Sequence, residues 1–575
     1  MCDRAVSFTG RFPMFVLVSL LLFSIFPLSM VLPDAAAAQG TVKNVILMIV
    51  DGCSSEQYTL LRWVKGGPLS FDKIYAGAVK TYIADSVIAD SAPAASAYAT
   101  GRRTSDKHIS VGPAPQTLRT VPAPPPDMRD RPLATLLEGA KLSGMAVGIV
   151  CTSRVSHATP AAFYAHVPDR DLEDDIMEQA VYQNLDLLFG GGKRYLLPKS
   201  GGGKRVDGED LMAVLKQKGY RVIETRAELL SLASGRVFGM FSQSHMEADM
   251  DRATFAPEEP SLEEMTRKAI ELLSRSRGGF FLMVEASQVD WACHANDPAH
   301  LISDLSMYDK AVKAALEFAE KDGTTLLVAV SDHNTGGMSI GNNATSERYS
   351  QMKLGALDEP VATDTLLGPL GRMTLTAYGI WRKMGKDISP SKLKEVVRAY
   401  WGMEITDEEA NQIFTVGKQY PNVAHWGLGE ILSAKHTSIG WTTHGHTGGD
   451  VPLFAYGPGH PVGLVDAPEL GRQMAEAMGL DLGQLTERLF VEAGAAFPEG
   501  KVTIEKDGEN LVARITLPDK TADLPINKDI LMTAGRSVEL EGVVVYAPNT
   551  GKVYVPSQAV ERLEGAKEQR PSDSP

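Results

Sequence analysis

The sequence predicts an α/β fold: a mostly parallel central sheet covered by helices on both faces, with a helical cap insertion and a small β-rich C-terminal appendage. Three observations lead there. Short, almost continuously apolar runs alternate with helical patterns, as strands buried on both faces do. Several of these runs end in carboxylates or imidazoles, and ligands of open α/β sheets gather at the carboxyl ends of the strands. After about residue 499 the pattern changes to alternating strands separated by turn residues.

The expected strands of the body are 42–50 (VKNVILMIV), 146–150, 280–284, 324–330 and 452–456. Residues 112–132 are rich in proline and read as a loop. The stretch 348–435 is helical in pattern, with Thr406-Asp407-Glu408-Glu409 forming a capping box, and is expected to cap the cleft. Beyond it, Val502-Thr503-Ile504 and Leu511 to Ile515 flank an Asp507-Gly508 turn. Val543 to Tyr546 and Lys552 to Val555 flank Pro548-Asn549-Thr550-Gly551. The appendage is therefore expected over 500–563, with 564–575 as a polar, disordered tail and 39–499 as the catalytic body.

The chain has 575 residues, 44% hydrophobic and 22% charged, enough to bury a large core without disulfides. Collagen-like, coiled-coil and wholly disordered classes are excluded. With 57 basic against 71 acidic residues the net charge is -14, so no overall positive field recruits nucleic acid. No nucleic-acid-binding module is expected, and an anionic substrate needs a local cluster of positive charge or metal. Residues 1–38 read as a secretory signal: Arg4 and Arg11 precede an apolar run over 12–32, and Ala36-Ala37-Ala38 offers a cleavage site. An uncleaved anchor is the alternative, but Pro13, Pro27, Pro33 and the alanines favour cleavage. No second run of that length follows, so a periplasmic or secreted protein without a membrane span is expected. Cys53, Cys151 and Cys293 remain after cleavage, neither a disulfide framework nor a zinc ribbon.

Chemistry concentrates where the strands end. The first delivers Asp51, the third Glu285, and the fourth Asp332 and His333, while His446 precedes the last strand. Asp290 and His294 stand four apart, on one face of a helical turn. Carboxylate with imidazole suits zinc; carboxylate with hydroxyl suits magnesium. A single strand-end aspartate is usually a turn former, but four such sites together point to a metal cluster. Ala89-Asp90-Ser91-Ala92-Pro93 through Gly101 reads as a helix start. Ser91 alone would be taken for a cap; beside a metal cluster it reads as a nucleophile at the positive end of a helix.

Asp51-Gly52, Asp90-Ser91-Ala92, His157-Ala158-Thr159-Pro160, Glu285 with Asp290 and His294, Asp332-His333 and His446-Thr447-Gly448 together resemble alkaline phosphatase, in that family's order, from about Val42 to Tyr456. The resemblance implies a phosphomonoesterase in which Ser91 becomes a covalent phosphoserine. It implies one zinc on Asp290, His294 and His446, a second on Asp51, Asp332 and His333, and magnesium on Asp51, Thr159 and Glu285. It also implies that Arg170 clamps the phosphate, that the substrates are small-molecule phosphate monoesters, and that the chain pairs as a homodimer. Without the motif, Arg170 would be read as pairing with Asp169 or Asp171. Two positions depart from the family's best-known bacterial pattern: His157 replaces an aspartate, and Trp291 a lysine or histidine. His157 as a ligand would draw the third site towards zinc or cobalt.

Other signals fall away. Gly190-Gly191-Gly192-Lys193-Arg194 and Gly201-Gly202-Gly203-Lys204-Arg205 lack the Ser or Thr that a phosphate loop places after its lysine. No Gly-x-Ser-x-Gly elbow surrounds Ser91. A serine rather than a Cys-x-Pro-x-Arg motif argues against a sulfatase, and Arg170 argues for a terminal phosphate over a diester. A binding protein without turnover would lack the nucleophile or a ligand, and this chain lacks neither. His444 is read as a loop neighbour of His446.

Overall fold

The structure, a computed structural model, describes residues 42–342 and 363–564. The expected signal at 1–38, the first part of the expected cap and the tail from 565 lie outside the described residues. Eight strands come first in the chain: β1 (Asn44–Val50), β2 (Tyr75–Lys80), β3 (Ala146–Arg154), β4 (Leu187–Gly191), β5 (Arg221–Ile223), β6 (Val237–Ser242), β7 (Phe280–Ala286) and β8 (Thr325–Ser331). Two short antiparallel pairs follow, β9 (Asn334–Thr335) with β12 (His446–Thr447) and β10 (Ser339–Ile340) with β11 (Ile439–Gly440). β13 (Val451–Tyr456) and β14 (Gly463–Asp466) complete the body.

The main sheet has ten strands in the order β14-β2-β13-β8-β1-β7-β3-β4-β6-β5. All neighbours run parallel except β13, which is antiparallel to both β2 and β8. Alternate residues of β1 enter different cores: Ile46, Met48 and Val50 pack with the helices Leu262–Leu273 and Pro298–Asp322. Val45, Leu47 and Ile49 pack with Ser91–Thr100, Leu136–Leu142 and Ala467–Ala477 on the other face. Helices thus cover both faces, and every residue of β1, β7 and β8 is buried. Two strands run longer than their apolar stretches: β3 continues to Arg154, and β7 contains Glu285 rather than ending before it. Their final stretches include polar residues, Thr152 to Arg154 in β3 and Glu285 in β7, so continuous hydrophobicity stops before the strand does.

Register places the site. Ile49 is level with Glu285 and Val50 with both Ala286 and Ser331, so Asp51, Glu285 and Asp332 reach one edge of the sheet together. Because β13 is antiparallel, its beginning lies at the edge where its neighbour β8 ends. The β9–β12 pair then fixes His446 opposite Thr335.

The helices Ala377–Met384, Pro390–Trp401 and Asp407–Gln419 form a layer whose apolar residues join the core on the Pro298–Asp322 face, and buried carboxylates add to the join. Asp251 accepts from Thr376 N (2.9 Å) and Thr376 Oγ1 (2.6 Å), and Asp297 Oδ2 accepts from Ala377 N (2.6 Å). Past residue 500 a five-stranded antiparallel meander follows, its first hairpin turning at Gly508-Glu509 between paired Asp507 and Asn510. A three-stranded sheet joins Val491–Glu492, Lys552–Val555 and Val545–Ala547. The meander is keyed to the body by Asn527, which donates to Asp175 (3.0 Å) and Glu178 (3.2 Å) and accepts from Gln179 (3.0 Å).

Asp297 has two tasks, since its Oδ1 also caps the 25-residue helix Pro298–Asp322 through Ala299 N and His300 N. Asp297→Ala is expected to cost about 2–4 kcal/mol of unfolding free energy. Denaturant unfolding measures it, and a loss under about 1 kcal/mol would show the anchor to be dispensable.

Candidate active site

Ser91 opens the helix Ser91–Thr100, whose ten residues are all buried and mostly small. Asp90 is the N-cap and makes no side-chain cap, and Ser91 does not cap either. The Ser91 hydroxyl instead lies 3.1 Å from His333 Nε2. Asp90 holds Arg170: both carboxylate oxygens accept from Arg170 Nη1 at 2.6 Å. Arg170 Nη2 donates to His157 Nε2 at 3.0 Å. The sequence neighbours Asp169 and Asp171 are taken by Lys107. Burial opposes the charge on Asp90, but Arg170 outweighs it and holds the carboxyl below its ordinary range. The guanidinium therefore bridges Asp90, the residue before Ser91, and His157, charged and already oriented.

Around them, three sets of side chains bring their ligand atoms within 4.8 Å of one another. They are Asp51, Asp332 and His333; Asp290, His333 and His446; and Asp51, His157 and Glu285. His333 Nε2 lies 3.4 Å from both Asp51 Oδ1 and Asp332 Oδ2. Asp290 meets His294 Nε2 at 3.1 Å and His446 Nε2 at 3.8 Å. His294 thus joins the second set through Asp290, and His157 joins the third. Thr159, on the short helix Ala158–Ala161 that follows His157, is wholly buried.

The polar atoms left without hydrogen-bond partners test what this cluster fits. Both Asp51 oxygens, Asp332 Oδ2, Glu285 Oε1 and Thr159 Oγ1 are buried and unpartnered, and so is His157 Nδ1, which carries the ring proton while Nε2 accepts from Arg170. Buried oxygens are normally satisfied, and several orphans converging on one place call for cations. The donors are carboxylate, hydroxyl and imidazole, a set that suits divalent metals. The imidazoles are aligned for it: His446 Nδ1 donates to Ala89 O (2.9 Å) and His294 Nδ1 to His444 O, leaving each Nε2 towards Asp290.

With protein groups alone, most carboxyls of the cluster hold their protons more tightly than usual. Burial pushes Asp51 well above the usual carboxylate range, and Asp332, Asp290 and Glu285 add to the shift. Burial raises Glu285 and Asp332 to about 7 each. Asp290 is the exception: burial works against it, but His294 holds it far below its usual value. His294 rises to about 9 on the same pair, again against burial, whereas burial lowers His446 to about 4.

Some functional contacts were not evident in the sequence. Thr335 Oγ1 donates to Asp290 Oδ1 at 2.6 Å, although nothing in the stretch after His333 marks it. Trp426 stacks on His294 (2° between planes) and on His444 (17°). His444 is indeed a loop neighbour, bound to His294 O (2.6 Å) and Glu430 (2.8 Å). Trp291 packs edge-on against His245 and His157. The three described cysteines are buried free thiols, each pushed above its ordinary value chiefly by burial, and they serve as packing.

Comparison with known proteins gives the family. The alkaline phosphatase family model matches residues 42–480. "Alkaline phosphatase 3" of Bacillus subtilis (strain 168) is 32% identical over 471 residues, 78% of this chain and 92% of that protein. The structure of Thermus thermophilus alkaline phosphatase superposes with a TM-score of 0.65 at 28% identity, covering 80% of this chain and 96% of that one. The cold-active enzyme of a psychrophilic Shewanella sp. gives 0.62 at 27% identity, covering 76% and 99%.

The raised carboxylates set a pH dependence. Below about 7, Glu285 and Asp332 hold protons that must leave before a cation can bind. Binding of zinc to chelator-treated protein is therefore expected to release protons and to weaken as pH falls from about 8 to about 6. Calorimetry in buffers of different ionisation heat measures both. Equal affinity and no proton release across that range would contradict the assignment.

Proposed function

Because the chain belongs to the alkaline phosphatase family and is a phosphoric monoester hydrolase, we propose that it works through a covalent phosphoserine on Ser91. The observation that carries this reading is the Ser91 hydroxyl beside His333, at the edge of a cluster of buried, unpartnered ligand atoms. Ser91 gives up its hydroxyl proton to solvent, and its Oγ bonds to phosphorus as the bond to the ester oxygen breaks on the opposite side. The departing alcohol keeps that electron pair and takes a proton from solvent. Water entering from the vacated side then loses a proton and bonds to phosphorus as the Ser91–phosphorus bond breaks; Ser91 Oγ regains a proton from solvent, and inorganic phosphate is freed. Arg170 binds two phosphate oxygens through its planar guanidinium and keeps them oriented in both steps. The start of the helix Ser91–Thr100 adds its positive end to the same oxygens.

Two zinc-type cations fit Asp51, Asp332 and His333 and Asp290, His294 and His446. A third fits Asp51, Thr159 and Glu285, and a nitrogen from His157 favours zinc or cobalt over magnesium there. When bound, such cations lower the serine pKa and neutralise charge on the attacking and leaving oxygens. The signal-like residues 1–38 support export to the periplasm or medium. Among the described residues no helix is long and apolar enough to cross a membrane.

Hydrolysis of a simple aryl phosphate by the chain from Gln39, after chelation and return of zinc, magnesium or cobalt, tests the reading. Ser91→Ala is expected to lower kcat by at least about a thousandfold with its fold intact. A variant that kept its activity would exclude the phosphoserine route. His157→Asp is expected to tighten magnesium activation and weaken that by zinc or cobalt. An unchanged metal preference would remove His157 from the third site.

A further inference from the structure

The backbone at Lys107 has a φ of 64°, in the left-handed region where glycine is the least strained residue. A lysine held there carries a conformational cost that its side chain or its carbonyl must offset. Both are engaged, and both lead to Arg170. The Lys107 carbonyl accepts from Arg170 N at 2.9 Å. The ammonium donates to Asp171 Oδ2 at 3.2 Å and stands 3.8 Å from Asp169 Oδ2. Asp169 Oδ1 is meanwhile taken by Asp171 N at 3.0 Å.

The loop that carries Lys107 also hangs on the helix that Ser91 opens. Ile109 and Val167 exchange backbone hydrogen bonds of 2.9 and 3.1 Å, and Ser110 N donates to Ser96 Oγ at 2.9 Å. The segment bearing Arg170 is thereby tied to the helix Ser91–Thr100.

Arg170 has a choice of carboxylates. Asp169 and Asp171 flank it in sequence, and their side chains are 42% and 76% exposed. A pair with either would keep the guanidinium hydrated. Asp90 lies further in: burial opposes the charge on Arg170 there, and the Asp90 pair outweighs it. Exposed pairs bias such a choice by only about two- to fivefold, enough to draw the guanidinium outwards for part of the time. One ammonium set against both flanking carboxylates removes that competition.

We propose that Lys107 is a positioning residue for Arg170, occupying Asp169 and Asp171 so that the guanidinium stays with Asp90 and is free for phosphate. The inference rests on the reading of Arg170 as the phosphate clamp, and it gives a task to a side chain outside the metal-binding cluster.

Calorimetric binding of inorganic phosphate to the metal-loaded chain tests it. Lys107→Gly suits the left-handed backbone, so its melting temperature is expected to equal or exceed the parent's. Phosphate is nevertheless expected to bind about two- to fivefold more weakly, and the difference to shrink in about 0.5 M salt. Lys107→Arg is expected to bind phosphate as the parent does. Adding Asp169→Asn and Asp171→Asn to Lys107→Gly removes the competing carboxylates and is expected to restore binding. Arg170→Ala is expected to weaken binding on its own, and Lys107→Gly to add nothing in that background. Parent-like binding by Lys107→Gly beside a weakened Arg170→Ala would overturn the positioning role and leave the clamp standing. A loss that the triple variant does not restore, or one of equal size in the Arg170→Ala background, would overturn it too. Parent-like binding by Arg170→Ala would defeat the clamp reading itself.

Discussion

Four carboxylates packed out of water at one edge of one sheet are the constraint on which this structure depends. Asp51, Glu285 and Asp332 are fully buried and Asp290 nearly so. Parallel strands in register offer little freedom to keep the first three apart. β7, β1 and β8 lie side by side, so residues that end them at the same level meet. Such a cluster is tolerable in a low dielectric only if protons or cations neutralise it. Three fully buried strands and a helical layer on each face supply the stability that holds it in place. The stiffness that makes the cluster costly also makes it accurate, because ligands set on strands keep their positions better than ligands on loops.

The positive side of the balance is narrow. Net charge is -14, and Arg170 is the guanidinium aimed at the reaction centre. Its pairing with Asp90 and His157 fixes it beside the residue that precedes Ser91, the preorganisation that the proposed clamp on phosphate oxygens calls for. An acidic protein can therefore take a dianionic substrate, since attraction comes from a few fixed groups and metals at short range. Trp291, which carries no charge, leaves that task wholly to them.

Much of this was legible in the sequence, and the illegible part has a common physical cause. Strand-end ligands stand out because apolar runs and their polar endings are local patterns. The Asp290–His294 spacing is local too. Arg170 shows the limit: its acidic neighbours Asp169 and Asp171 suggested the pairing, whereas the fold brings Asp90 to it from 80 residues away. Glu285 was placed after its strand because hydrophobicity ends before the hydrogen-bonded ladder does. Thr335 and Trp426 act through contacts that exist only once loops have closed on the helix Gln288–His294, and no periodicity announces such contacts. The same holds for β13, whose reversed direction brings His446 to the cluster and is invisible in its composition.

Trp426 links the helical layer to the chemistry. His294 is held at three points: its Nε2 faces Asp290, its Nδ1 donates to the His444 carbonyl, and its ring lies parallel to Trp426. The first two belong to the body and the closing loop, while the third comes with the layer that Asp251 and Asp297 tie down at Thr376 and Ala377. A displacement of that layer would leave the ring of His294 uncovered on one side. The hydrogen bonds at Thr376 and Ala377 therefore bear on how His294 is held, although they lie outside the cluster themselves.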